Sequence, residues 1–195
     1  MKQKEAVSAG TEFIEKDILA FSGSPFDRIG KGWMLITAGN VDGGGPNGSG
    51  KDPGNWNTMT ASWGGLGVLW HKNVAFIFIR PSRHTFGFAN SAKVFTISFF
   101  DENCRSALEL CGKKSGRDID KAAAAGLTPV FFHDANEAVS FVSFKEARDV
   151  LFCKKLYAQD LDPALFLDRE AIEKSYNGSD YHRIYVGEII GYKAR

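Results

Sequence analysis

The residues best placed to bind an anion follow an apolar run that is typical of a buried strand. They are Arg80, Ser82, Arg83 and Thr85. The two guanidinium groups are permanently charged, and the two hydroxyls donate hydrogen bonds. A helix predicted over Ser82–Ser91 would add the free amides of its first turn. This set is typical of a phosphate site. The alternative is that Ser82 only caps the helix, while the arginines are solvated or paired with carboxylates.

A second polar set lies one predicted strand earlier, in the alternating segment Asn57–Trp63. One face of this strand carries Thr58, Thr60 and Ser62, and the other carries Met59, Ala61 and Trp63. The hydroxyls and edge amides could hydrogen-bond a flat heterocycle whose phosphate tail reaches the arginines. The alternative is an ordinary amphipathic strand with threonines that face water.

The glycine-dense segment from Asp42 to Gly54 contains the glycine and lysine spacing of a phosphate-binding loop, ending at Lys51. Asp52 stands where that loop needs a hydroxyl to hold magnesium, and Pro53 follows where a helix should begin. We therefore predict an exposed loop here and no nucleoside triphosphate site.

The remaining reactive side chains form no pattern of a catalytic or metal site. The four histidines lack the spacing of metal ligands, so we predict no metal. Cys104 and Cys111 suit the apolar face of a predicted helix better than the role of a nucleophile. Together with Cys153 they make an odd number of cysteines, which indicates reduced thiols in a cytoplasmic protein.

The composition bounds the size and the partners of the protein. The chain has 195 residues, 44% of them hydrophobic, which predicts one globular domain over 1–195. Its 24 basic and 23 acidic residues are too balanced for a nucleic-acid binder. The longest wholly apolar run, Val74–Ile79, is far shorter than the roughly 20 residues that cross a bilayer. We expect neither a nucleic-acid nor a membrane partner.

Short aromatic and β-branched runs predict seven strands. They are Trp33–Ala38, Asn57–Trp63, Val74–Ile79, Val94–Phe100, Val139–Phe144, Val150–Gln159 and Arg183–Tyr192. Besides the helix at Ser82, one helix is predicted between a cap at Asp101 and a left-handed stop at Gly112, and another from Asp118 to Gly126. Because the strands do not alternate with long helices, we predict a mainly β fold, a closed or half-closed β-barrel with peripheral helices.

Four motifs, in this order, resemble the flavin reductase-like family with the FMN-binding split barrel, in particular its flavoredoxin-like members. They are NTMTASW at 57–63, RPSRHT at 80–85, SGRDIDK at 115–121 with GLTP at 126–129, and VGEI at 186–189. The similarity spans a core of about 33–191. It implies a Greek-key split barrel that forms a homodimer, with one FMN per subunit near the interface.

The resemblance also implies which residues bind the cofactor. Thr58 to Ser62 would line the isoalloxazine ring, flanked by Asn57 and Trp63, and the four residues of the phosphate set would hold the phosphate. From an adjoining loop, Lys113, Ser115, Gly116 and Lys121 would approach the flavin. The family often carries an adjacent Asp-His pair before its closing strand, whereas Tyr181 here separates Asp180 from His182. The loop at 42–54 is an insertion longer than the family leads us to expect.

The activity implied by the resemblance is that of an FMN-dependent oxidoreductase. NADH or NADPH would deliver hydride to the flavin, and the reduced flavin would pass electrons to a small-molecule or protein acceptor. No catalytic residue is assigned; His182 would at most orient a substrate or donate a proton. Two alternatives stay open: a non-enzymatic FMN electron carrier that serves a protein partner, and a phosphate-ligand binding module without redox activity.

Overall fold

Antiparallel strands make up most of the computed structural model, which describes residues 12–39, 55–134 and 139–195. The predicted glycine loop at 42–54 lies outside the described residues. The strands are β1 (Ile14–Lys16), β2 (Met34–Gly39), β3 (Trp56–Ala61), β4 (Gly64–Leu69), β5 (Lys72–Ile79), β6 (Val94–Phe99), β7 (Pro129–Asp134), β8 (Val139–Phe144), β9 (Asp149–Asp160) and β10 (Arg183–Ala194). The α-helices are α1 (Thr85–Ser91), α2 (Arg105–Lys113), α3 (Lys121–Ala125) and α4 (Arg169–Ser175).

The main sheet runs in the order β3-β2-β6-β9-β10-β5-β4, and β1 pairs with the far end of β10. The strands at the two ends of this order, β3 and β4, are neighbours in the chain and are joined by Ser62 and Trp63 alone. Within the described ranges no ladder of hydrogen bonds closes β3 onto β4. The sheet is therefore a split barrel, which confirms the predicted mainly β fold.

Buried aliphatic and aromatic side chains fill the interior of the barrel. They include Met34, Ile36, Met59, Ile77, Ile97, Leu151 and Tyr185. A second cluster covers the outer face of β2, where Leu35 packs with Leu108 of α2 and Phe144 of β8. The β7-β8 hairpin is fixed to β6 by polar contacts as well, since Thr96 Oγ1 donates to the carbonyl of Val142 at 2.5 Å. Helix α2 thus lies outside the barrel, against β2 and β3.

All seven predicted strands are present, and their ends agree with the prediction to within two residues. The prediction missed three strands, β1, β4 and β7. It missed β4 because its sequence, GGLGVL, has the glycine content of a loop. β4 pairs with β5 through a turn at Trp70 and His71, both with positive φ. Tight hairpin turns of this kind usually carry Asn or Gly, so Trp70 and His71 do not indicate a hairpin.

Three details of the predicted helices were wrong. Gly112 lies inside α2 rather than at a left-handed stop, and its missing side chain makes room for Thr60. Asp101 makes no side-chain cap but lies 3.4 Å from Arg148. Helix α3 is capped by Asp120 and not by Asp118, because the carboxylate of Asp120 accepts a hydrogen bond from the amide of Ala123. The left-handed stop of α3 at Gly126, with a φ of 67°, is confirmed.

No helix in the described ranges has the length and apolar character needed to span a bilayer.

Candidate functional site

A cleft of about 240 Å³ opens beside the link between β3 and β4. Its lining residues are Met59, Thr60, Ala61, Ser62, Trp63, Phe78, Arg80, Arg83, Gly112 and His182. The cleft therefore brings together the second half of the predicted ring-binding strand and both arginines of the predicted phosphate set. Two cations line part of the cleft, and Met59, Ala61, Trp63 and Phe78 add carbon surface to it.

Arg80 lies directly after β5 and is held from three sides. Its Nη2 donates to the carbonyl oxygen of Ser175 at 2.7 Å, and its guanidinium lies 5.0 Å from the ring centre of Tyr176. Its Nη1 is 3.9 Å from a carboxylate oxygen of Asp180. These contacts keep a permanent positive charge at the mouth of the cleft.

Arg83 is more deeply placed, and its Nη2 donates to the carbonyl oxygen of Gly112 at 2.8 Å. Burial, together with the neighbouring charge of Arg80, lowers the pKa of Arg83. The guanidinium nevertheless stays protonated, since arginine is charged throughout the physiological range. Two like charges confined at one end of a cleft would be stabilised by a bound anion.

Ser82 lies between the two arginines in sequence and bonds to Asp180. Its backbone amide donates to one carboxylate oxygen at 2.9 Å, and its hydroxyl donates to the other at 2.6 Å. Ser82 therefore does not cap α1, which begins after His84 without a side-chain cap. Of the second alternative, the cap by Ser82 is therefore wrong, while Arg80 does lie near a carboxylate. Arg83 is bonded to a backbone carbonyl. That the two arginines bind a phosphate stays a prediction.

Four other predicted cofactor residues line an adjoining cavity of about 390 Å³ rather than the cleft. They are Asn57, Thr58, Gly116 and Lys121. The hydroxyl of Thr58 donates to the carbonyl of Ile36 at 3.2 Å, and Thr85 Oγ1 accepts from Asn57 Nδ2 at 2.7 Å. Thr58 and Thr85 are almost wholly buried, so their hydroxyls join elements of the fold.

Lys121 is a buried cation that connects α3 to its neighbours. Its Nζ donates to the carbonyl oxygens of Thr58 at 2.9 Å and Cys111 at 2.8 Å. Burial, and then the charge of Arg83, lower the pKa of Lys121 to about 8. Lys113 instead is exposed and pairs with Glu109 at 3.0 Å. The hydroxyl of Ser115 accepts from the amide of Arg117 in the turn before α3.

His182 forms part of the cleft wall, beside Trp63 and Phe78. Its Nδ1 is 2.7 Å from the hydroxyl of Tyr176, and its ring centre is 5.0 Å from that of Trp63. Burial, reinforced by the charge of Arg80, lowers the pKa of His182 to about 4. At neutral pH the imidazole is therefore uncharged, with one nitrogen able to donate and the other able to accept.

The low pKa of His182 predicts a specific loss of stability in acid. Between pH 6.5 and about 4 the unfolded chain binds a proton at this ring that the folded chain does not, so stability falls as pH falls through that window. We expect His182→Gln to reduce this slope in urea unfolding experiments. As the control, His133→Gln changes an exposed ring in β7 and should keep the wild-type slope. Equal slopes in all three proteins would contradict the prediction.

The cysteines do not offer a nucleophile to the cleft. All three described thiols are free, and burial raises the pKa of Cys111 to about 11. A thiol with such a pKa is almost wholly protonated at neutral pH, and the thiolate is the reactive form. In the described ranges no group of three His, Cys, Asp or Glu side chains could hold a metal.

Four groups at the cleft were not predicted from the sequence: Phe78 and Gly112, which line it, and Tyr176 and Asp180, which contact Arg80. Phe78 belongs to a strand that was predicted only as buried. Tyr176 and Asp180 come from the long connection between β9 and β10, about one hundred residues after the arginines. The one available signal was the position of Asp180 next to the shifted Asp-His pair.

Comparison with known proteins gives a family and a fold. Residues 26–195 match the model of the flavin reductase like domain. An FMN-binding domain of a flavin reductases-like enzyme from Shewanella baltica is 14% identical, with a TM-score of 0.58, over 96% of this chain and 79% of that one. The flavoredoxin of Desulfovibrio vulgaris is 17% identical, with a TM-score of 0.56, over 100% and 77%.

A protein from Shewanella frigidimarina, assigned as a flavin reductase with a split barrel domain, is 19% identical. Its TM-score is 0.59, over 95% of this chain and 81% of that one. At these identities the likeness to solved structures is one of fold. No curated protein matches the chain.

Proposed function

The chain belongs to the flavin reductase-like domain family, and on this premise we propose that it is an FMN-binding oxidoreductase that accepts hydride from NADH or NADPH. The observation that carries the proposal is the convergence of Arg80 and Arg83 on a cleft whose other wall is β3 and its link to β4. The FMN-binding neighbour from Shewanella baltica, which shares the fold, supports the choice of ligand.

The cation end of the cleft fits a flavin phosphate. The guanidinium groups of Arg80 and Arg83 each keep N–H groups beyond the single hydrogen bonds that anchor them. A phosphate dianion would relieve their mutual repulsion and accept charge-assisted hydrogen bonds from both. These two side chains would hold the phosphate, and the buried charge of Lys121 behind Arg83 adds to the positive potential.

The apolar wall fits a planar ring system. Ala61, Trp63 and Phe78 offer carbon surface, while Thr60 and Ser62 add hydroxyls along the same edge. Ligand sites commonly combine such a wall with a few polar groups that fix orientation. Bound FMN would supply the hydride and electron chemistry. Trp63 and Phe78 would exclude water, and the neutral ring of His182, oriented by Tyr176, would present one hydrogen-bonding nitrogen to the cleft.

We extend the proposal to a cytoplasmic homodimer. The free thiols are consistent with a reducing compartment. β4 and its turn expose Val68 by 72% and Trp70 by 58%, and apolar side chains exposed together often mark an interface. Sedimentation of the purified protein should give twice the monomer mass; a monomer at micromolar concentration would contradict this part of the proposal.

An anaerobic titration tests the redox function. The protein, loaded with FMN and freed of excess flavin, is mixed with NADH or NADPH while the visible flavin absorbance is followed. Fast bleaching, well above the rate for free FMN at the same concentration, is expected of a reductase. Persistent colour would favour the electron carrier. Protein that takes up no FMN at all would favour a phosphate-ligand module and would overturn the proposal.

A further inference from the structure

Asp180 places a carboxylate against donors that an anionic ligand could use. Its two oxygens accept from the backbone amide and the hydroxyl of Ser82, at 2.9 and 2.6 Å. Arg80 Nη1 lies 3.9 Å away. Both side chains are partly exposed, at 31% for Arg80 and 28% for Asp180, so this contact lies at the mouth of the cleft and a ligand can reach it.

Asp180 lies in a connection and not in a regular element of the fold. Asp180 has a φ of 60°, in the left-handed region that most side chains avoid. It belongs to the connection between α4 and β10, outside the ladders of the sheet. The contacts of its carboxylate are with Ser82 and Arg80, at the surface of the protein.

We propose that Asp180 is a resident anion that competes with the flavin phosphate for Ser82 and Arg80, and thereby sets how strongly the site prefers FMN over riboflavin. The inference rests on the proposed function and deepens it. A phosphate that enters must either displace the carboxylate from Ser82 or remain with the arginines alone. In both cases the negative charge of Asp180 opposes binding of the phosphate and leaves binding of the uncharged riboflavin unaffected.

Two substitutions of Asp180 distinguish the effect of its charge on ligand binding from the effect of its backbone conformation. Asp180→Asn keeps an oxygen that can accept from the Ser82 amide and removes the charge. Asp180→Gly removes the whole side chain and suits a positive φ. The matched control is Asp101→Asn, which also removes a carboxylate beside an arginine, Arg148 at 3.4 Å, but lies outside the cleft. Dissociation constants are measured for FMN and riboflavin by flavin fluorescence, and for inorganic phosphate by calorimetry.

Both Asp180 variants should bind FMN at least about tenfold more tightly than the wild type, the size expected when a like charge a few ångströms from the phosphate is removed. Riboflavin should bind all proteins alike, and Asp101→Asn should match the wild type. FMN affinity that is unchanged or weaker in both variants would overturn the inference, as would equal gains for FMN and riboflavin.

The measurement with inorganic phosphate distinguishes failure of this inference from failure of the proposed function. Tighter binding of inorganic phosphate to both Asp180 variants, with no binding of any flavin, would support the competing carboxylate and refute the flavin site. Flavin binding without any gain for FMN or for inorganic phosphate would support the flavin site and refute the role of Asp180.

Discussion

Arg83→Ala is expected to weaken FMN binding by about 1.5 to 3 kcal/mol, the contribution of a charge-assisted hydrogen bond to a phosphate. Arg83 is the deeper of the two cleft arginines, and its guanidinium is fixed by the carbonyl of Gly112. The loss should be confined to the phosphorylated ligand, so the affinity for riboflavin should change little. Fluorescence titration with both flavins measures the difference directly.

Arg105→Ala is the matched control for this variant. Arg105 also donates to a backbone carbonyl, that of Lys31 at 2.7 Å, but it packs on Trp33 away from the cleft. Its removal should leave FMN affinity at the wild-type value. Undiminished occupancy by FMN after dialysis of Arg83→Ala would refute the phosphate assignment, provided that urea unfolding shows an intact fold.

Gly116→Ala is expected to destabilise the fold by about 2 to 4 kcal/mol, combining overpacking with the loss of buried hydrogen bonds. An added Cβ would overlap Asn57 Oδ1 and would lie 3.1 Å from His84 Cδ2. Asn57 is buried and donates to Thr85 at 2.7 Å, so it cannot move away without leaving that hydroxyl unpaired. Urea unfolding, with FMN affinity measured in parallel, tests the prediction.

Gly87→Ala makes the same chemical change where there is room for it. Nothing lies within 4 Å of the Cβ that this substitution would add, and Gly87 is inside α1. Alanine should stabilise the helix by about 0.5 to 1 kcal/mol. If both variants shifted stability in the same direction, the argument from the contact between Gly116 and Asn57 would fail.

Strands were predictable where aromatic and β-branched residues followed one another along the chain. Val139–Phe144 was predicted with its exact bounds, because it is rich in aromatic and β-branched residues. β4 was not predicted, since its three glycines are typical of a loop and it forms a strand only by pairing with β5. Pairing of this kind is a tertiary property, and a local pattern does not contain it.

The site was predictable only in part, for the same reason. The motif at 80–85 marked both arginines of the cleft. The alternation at 57–63 left open what the threonines contact, and the structure shows that Thr60 donates to the carbonyl of Leu108 in α2 at 2.5 Å. Whether a helix or solvent covers that face depends on where α2 packs. That these residues bind FMN stays a prediction.

The two-residue link between β3 and β4 limits how far the cleft can widen. Ser62 and Trp63 tether the opposite margins of one sheet, so these margins cannot spread without stretching a backbone that is already short. The cleft can therefore adapt to ligands of different size through the long connection between β9 and β10, which carries Tyr176, Asp180 and His182. Differences in substrate range between members of this fold should therefore be sought in that segment rather than in the barrel wall.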